Sequence, residues 1–346
     1  MTRSTALALP LALAACSSDP PRNEATAAPS APAEVAQRPA APRDSGMAPR
    51  PGVLKTFGDW TVGCDNTLAC ELRSLAPEGG DPQEVTVSIA SAAGPGGRTA
   101  ITIDDGGDAE PAVALDGRPV TGALTLAAMV KSRILTARVA GQAAATVSLK
   151  GAAAALRYVD AVQGRAGTTA AFVARGPKPA SAVPAPPAAP TIVALTSAGT
   201  APLPSADQLA AMRRTAECES GSTTDEPSAF ALGGGKTLIL LPCSAGAYNQ
   251  VSAVFVLDRG GVAPVKADAP LGFTDDSDGV PGVVNGEWKD GVLSSYAKGR
   301  GIGDCGVIQQ LVWDGARLRL AEQREMGECR GNADYIRTWR ATVVRR

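Results

Sequence analysis

The sequence predicts a mainly β fold with some helix (α+β), arranged as two folded domains. Three observations predict it. Apolar residues alternate along short runs, as at Val85, Val87 and Ile89, where a helix would repeat them every three or four positions. Turn signals such as Asp116-Gly117 punctuate those runs. A Pro/Ala-rich stretch from Gly176 to Pro190 divides the chain, whose 346 residues exceed one typical core.

Residues 53–176 read as a β-rich, sandwich-like domain with two short helices. Phe57-Gly-Asp-Trp60 is an aromatic strand entering a turn between Cys64 and Cys70. The alternating run at Val85–Ile89 has Thr99–Asp104 as its neighbour, and Asp116-Gly117 marks a hairpin. Leu124–Lys131 places Leu126, Met129 and Val130 on one side of a short helix. Ile134–Val139 and Ala145–Leu149 are strands joined at Gly141, Ala152–Gln163 is the second helix, and Thr168–Val173 is a final strand.

Residues 177–199 form a linker, and 200–346 a second domain in which a helix precedes a β-hairpin meander. Ser205-Ala-Asp-Gln208 is a capping-box pattern that opens the helix, which runs to about Glu217. Thr237–Leu241, Val251–Leu257 and Val262–Lys266 then read as strands. Trp288-Lys-Asp-Gly-Val-Leu293 and Trp313-Asp-Gly-Ala-Arg-Leu318 each place a turn after a tryptophan.

Composition excludes more than it assigns. Lys+Arg total 33 against 34 Asp+Glu, a net charge of -1, without the basic surplus that displaces counterions from nucleic acid. There is no histidine, which removes Ser-His and Cys-His nucleophile pairs and His-ligated zinc. No cofactor is expected.

The first 16 residues read as a lipoprotein signal peptide. Arg3 supplies a positive start, and Thr5–Ala12 is an apolar run far short of the roughly 20 residues that span a bilayer. Leu13-Ala-Ala-Cys16 resembles the bacterial lipobox, with Cys16 as the lipidated residue. Ser17 follows it, and by resemblance to enterobacterial sorting rules this points to the outer membrane, facing the periplasm. Residues 17–52 are Pro/Ala-rich and read as a disordered tether. The expected partners are the membrane, through the lipid, and an envelope protein or glycan.

Six cysteines remain in the body: Cys64, Cys70, Cys218, Cys243, Cys305 and Cys329. Export favours disulfides, and no Cys-x-x-Cys spacing points to metal or redox chemistry. Cys64 and Cys70 are alone in the first domain and pair with each other. Cys218–Cys243 and Cys305–Cys329 are favoured by proximity alone.

The densest constellation is Lys298-Gly-Arg-Gly-Ile-Gly-Asp-Cys-Gly306. It lacks the Gly-x-x-x-x-Gly-Lys-Ser/Thr of a phosphate loop, and Gly301-Ile-Gly303 is too short for a dinucleotide fingerprint. It reads first as a tight turn anchored by a disulfide, with Asp304 bonding backbone amides and Arg300 pairing with a carboxylate. If Cys305 joins Cys329, then Arg300, Asp304 and Arg330 lie close together, and a binding patch for an anionic group is the alternative. Thr274-Asp-Asp-Ser-Asp-Gly279 approaches a calcium loop, but Thr274 stands at the first ligand position and Asn285 at the twelfth. That loop, like Asp104, Asp105 and Asp108, reads as a solvated acidic turn, and no metal site is assigned.

Several stretches resemble the proteobacterial envelope family designated domain of unknown function 1176. They are Phe57-Gly-Asp-Trp with Cys64-Asp-Asn, Ala155-Leu-Arg-Tyr-Val-Asp-Ala-Val-Gln-Gly-Arg165, Leu241-Pro-Cys-Ser-Ala-Gly-Ala-Tyr-Asn249, Lys298–Gly306, Trp313-Asp-Gly and Cys329-Arg-Gly331. Tyr158 stands where that pattern leads one to expect tryptophan. Residues 53–176 are also similar to the invasion-associated locus B family, through Phe-Gly-Asp-Trp and Val147-Ser-Leu-Lys-Gly151 before an Ala-rich helix. The resemblance implies export and a β-rich fold. The functional expectation is a non-catalytic lipid-anchored protein with a binding or envelope-support role. The alternatives are an enzyme of carboxylate chemistry acting on envelope material and a calcium-dependent adhesion module.

Overall fold

Alternating apolar positions in the first half build two antiparallel sheets around one core. A computed structural model describes residues 43–80, 85–107, 111–138, 143–218, 225–272 and 279–346. The first sheet is a meander of β1 (Lys55–Phe57), β2 (Trp60–Cys64), β3 (Cys70–Ser74), β4 (Thr86–Ser91) and β5 (Thr99–Asp104), adjacent in that order. The second contains β6 (Ala112–Leu115), β7 (Arg118–Pro119), β8 (Ile134–Arg138) and β9 (Ala145–Ser148), ordered β7-β6-β8-β9. Asp116 and Gly117 both take positive φ (46° and 79°) between β6 and β7, the backbone a two-residue hairpin turn requires.

Val62, Leu72, Val87 and Ile89 of one sheet share a buried core with Leu115, Leu135 and Val147 of the other. Trp60 is fully buried in it, and its indole N–H donates to the Ser148 carbonyl at 2.9 Å. Helix α1 (Leu126–Met129) is a single turn, and α2 (Ala152–Val162) buries Ala152, Ala155, Leu156 and Val159, a stripe at helical spacing. Tyr158 of α2 packs on Phe57 with ring centroids 6.0 Å apart, so the smaller aromatic ring is accommodated.

The expected strand at Thr168–Val173 does not form. Asp160, fully buried on α2, instead accepts the backbone N–H groups of Phe172 (2.7 Å), Val173 (2.9 Å) and Ala174 (2.9 Å). One carboxylate satisfies donors that a strand would have given to a ladder, and it bends the segment into turns. The Pro/Ala-rich stretch that follows is docked on the first half. Thr169 N donates to Lys178 O at 2.8 Å and Val183 is buried. It leads into a further strand, β10 (Thr191–Ala194).

The second half opens with α3 (Ala206–Thr215), where both capping-box bonds between Ser205 and Gln208 are present. Its first sheet runs β11 (Ser228–Gly233), β12 (Lys236–Ala245), β13 (Gln250–Asp258), β14 (Gly261–Pro264), with β15 (Gly282–Val284) also paired to β13. Its second is a meander of β16 (Glu287–Lys289), β17 (Val292–Lys298), β18 (Gly306–Trp313), β19 (Leu318–Met326) and β20 (Ile336–Arg340). Leu238, Leu240 and Val254 pack against Leu293, Leu311 and Leu320 between the sheets. On the other face of β12, Ile239 and Leu241 cluster with Met212 of α3. Burial on both faces explains the unbroken apolar run Leu238–Leu241.

The two tryptophan-led units are hairpin turns of the meander. Asp290 and Gly291 take φ of 50° and 74°, and the Asp314 carboxylate accepts from the amides of Ala316 and Arg317 at 2.8 Å each. The C-terminal strand β21 (Thr342–Arg345) lies parallel to β10. Residues 43–52, the described part of the expected tether, are bound to the second half. Asp44 pairs with Arg319 at 3.2 Å, and Gly52 N donates to Thr338 O at 2.8 Å. The signal peptide, Cys16, the Gly141 turn, Asp108 and Thr274–Asp278 lie outside the described residues.

Candidate functional site

The Gly-rich loop joins β17 to β18, and its glycines answer to close contacts. A Cβ on Gly299 would meet Cys305 Sγ at 2.7 Å, and one on Gly303 (φ +72°) would meet the Tyr296 hydroxyl at 2.5 Å. Arg300 Nε donates to Asp304 Oδ1 at 2.6 Å, and a second Arg300 nitrogen bonds Oδ2. Asp304 Oδ2 also accepts the Gly331 amide at 2.7 Å. The Arg300 guanidinium, aided by that amide, overcomes burial and holds the Asp304 carboxyl below its usual range, while Asp304 raises Arg300.

The Cys305–Cys329 disulfide ties this loop to the segment carrying Arg330. Arg330 points the other way, into the first half. Its guanidinium reaches Asp59 Oδ1 at 2.6 Å, the Ala76 carbonyl at 2.7 Å and the Gly58 carbonyl at 3.0 Å. Ala76 N returns a bond to Arg330 O at 2.9 Å, and Asn332 Nδ2 donates to Ser74 O at 2.8 Å. Beneath them Leu75 packs with Cys305, Met326 and Tyr335. Burial raises the Tyr335 phenol, whose hydroxyl donates to the Gly303 carbonyl at 3.2 Å.

Arg300, Asp304 and Arg330 thus share one neighbourhood, with Arg300 paired to Asp304 and Arg330 paired to Asp59. The arrangement locks the two halves. Sequence reasoning missed Asp59, Asn332 and Tyr335 as its members. Asp59 stood in view as the charge within Phe-Gly-Asp-Trp, but nothing local signalled a partner 271 positions away. Buried Arg73 is a second missed link: it pairs with Glu71 at 2.6 Å and with Asp334, from the other half, at 2.7 Å.

The other cysteines close as Cys64–Cys70 and Cys218–Cys243. Among the described residues, no group of three or more His, Cys, Asp or Glu is placed to hold a metal ion.

A family model described as protein of unknown function (DUF1176) matches residues 54–345. The chain belongs to that family. A relative, uncharacterized protein YpfG of Escherichia coli (strain K12), is 26% identical over 315 residues, covering 80% of this chain and 88% of that protein. No solved structure matches. Among the described residues of this DUF1176 chain two concavities stand out. One of about 850 Å³ lies beside β14 and includes Asp268, already paired to Arg319 through a short ion pair. The other, about 1030 Å³, opens between β5 and β6 in the first half and has no carboxylate among the described residues of its lining.

Proposed function

We propose that the chain is an exported protein held in the cell envelope by lipid on Cys16, with a non-catalytic body that binds an envelope protein or glycan. The observation that carries this reading is the closure of all six body cysteines into three local disulfides, a state that persists in oxidising compartments. The lipobox-like Leu13-Ala-Ala-Cys16 supplies the anchor, and in this reading residues 53–176 share an envelope role with the invasion-associated locus B family, which they resemble through Phe-Gly-Asp-Trp and Val147-Ser-Leu-Lys-Gly151. Among the described residues no helix is long and apolar enough to cross a membrane. We place the protein at the outer membrane, facing the periplasm.

Metabolic labelling with an alkyne fatty acid tests the anchor. The wild type should carry label and fractionate with outer membranes, and Cys16→Ser should lose both. Equal labelling of the two, or wild-type protein recovered in the cytosol, contradicts the reading. Photo-crosslinking in intact cells tests the body, which should yield a discrete crosslinked species; its absence from every surface position sampled counts against binding.

A further inference from the structure

The outer strand of the first sheet is an open edge. β5 pairs with β4 alone, and no backbone hydrogen bond leaves its outer side for any described residue. An unpaired edge is a template for another strand, and proteins blunt such edges with brevity, Lys, Pro or cover. Those devices appear elsewhere in this chain. β1 is three residues long and opens on Lys55, β7 is two residues ending in Pro119, and β14 ends in Pro264. β16 is three residues with Glu287 and Lys289, and β11 is covered where the Ser197 hydroxyl bonds the Ala231 carbonyl. β5 has six residues, Thr-Ala-Ile-Thr-Ile-Asp, with no Lys, Arg or Pro.

The 1030 Å³ cleft opens beside this bare edge. Ile101 and Ile103 of β5 face Val113, Leu124, Leu126 and Phe172 across it. Among the described lining residues Arg175 is the one that carries a charge. Its Nε donates to the Ala171 carbonyl at 3.1 Å, and among the described residues it has no carboxylate partner.

We infer that β5 and this cleft bind an extended peptide, which pairs with β5 as a sixth strand, seats alternate apolar side chains in the cleft and sets a carboxylate on Arg175. The inference rests on the binding role proposed above and names the chemistry of the partner. Strand addition draws affinity from main-chain hydrogen bonds and specificity from pockets for alternate side chains, and both elements are present here. A fatty acyl ligand would use the cleft and Arg175 but leave the β5 edge idle. A second copy would use the edge but bring a second Arg175 in place of an acid.

The test uses the full chain carrying Cys16→Ser and a fluorescein-labelled hexapeptide of alternating Val and Thr with a free C-terminal carboxylate. Fluorescence anisotropy should give saturable binding, weakened about tenfold by amidating the C-terminus or by Arg175→Glu. Methylating alternate peptide nitrogens, or Ile101→Lys with an unchanged melting temperature, should abolish it. Hydrogen exchange at residues 99–104 should slow when the peptide is bound. Four results would overturn the inference: no saturable binding, equal binding of the N-methylated peptide, unchanged exchange in β5, or a dimer that protects β5 without peptide. The two proposals separate in cells. A crosslinked partner indifferent to Ile101→Lys and Arg175→Glu sinks this site and spares the binding role, whereas no crosslinked partner at all sinks the binding role itself.

Discussion

Arg330 satisfies three first-half groups at once, so its loss should be felt well beyond one ion pair. Asp59 is only 7% exposed, and Arg330→Ala would leave its carboxylate buried without a cation. The expected cost is about 3 kcal/mol, read as a lowered denaturant midpoint. Arg300→Ala should cost less, because the Arg300 side chain is 43% exposed and Asp304 keeps the Gly331 amide. The carboxylates also predict a pH dependence of two signs. Asp304 titrates below its ordinary 3.8 when folded, so its stabilisation is complete above that value and is lost as the pH falls through the folded one. Glu325 is the reverse. Burial raises it above 4.5, with one bond from Gln323 and no cation partner among the described residues, so stability is lost as the pH rises through the folded value. Glu325→Gln should therefore raise the melting temperature near neutral pH and leave it unchanged below pH 4.5; an equal gain at both would contradict this account. Such residues were not legible in the sequence. A buried Asp160 or a half-buried Glu325 is identical on the page to a solvated one, because its environment is assembled from distant segments.

At the scale of elements, legibility followed how local the cause was. The Ser205 capping box and the Asp116-Gly117 and Asp290-Gly291 turns are fixed by neighbours in the chain, and each appears where its residues stand. The alternation at Val85–Ile89 marked β4 and the Ala-rich run Ala152–Gln163 marked α2 for the same reason. Thr168–Val173 has strand composition, but its amides are taken by Asp160, a tertiary contact that overrides propensity. The stretch after Gly176 shows the converse. Its Pro and Ala content suggests a free linker, yet proline costs little entropy to order, and Val183 is buried at 3% exposure. Val183→Asp should destabilise the protein by about 2 kcal/mol or more, since it buries a charge. A free linker would tolerate it without change.

The whole molecule is stitched between sequence ends that composition alone would set apart. Arg330, Asn332 and Asp334 grip the first half, Asn66 exchanges hydrogen bonds with the backbone of Arg340, and β10 runs beside β21. The three disulfides act on this scale too. Each closes a short loop, with separations of 6, 25 and 24 residues, and each is expected to add roughly 2–4 kcal/mol by restricting the unfolded chain. Cys305→Ala together with Cys329→Ala should lower the melting temperature and loosen the loop that presents Asp304 to Gly331, seen as faster amide exchange at Gly331. The export, anchoring and binding readings all depend on these covalent closures. Peptide mapping of protein purified without reductant, with free thiols alkylated at lysis, tests them most directly. The account predicts Cys64 joined to Cys70, Cys218 to Cys243 and Cys305 to Cys329, with no alkylated thiol among the six. Alkylation of all six would contradict it.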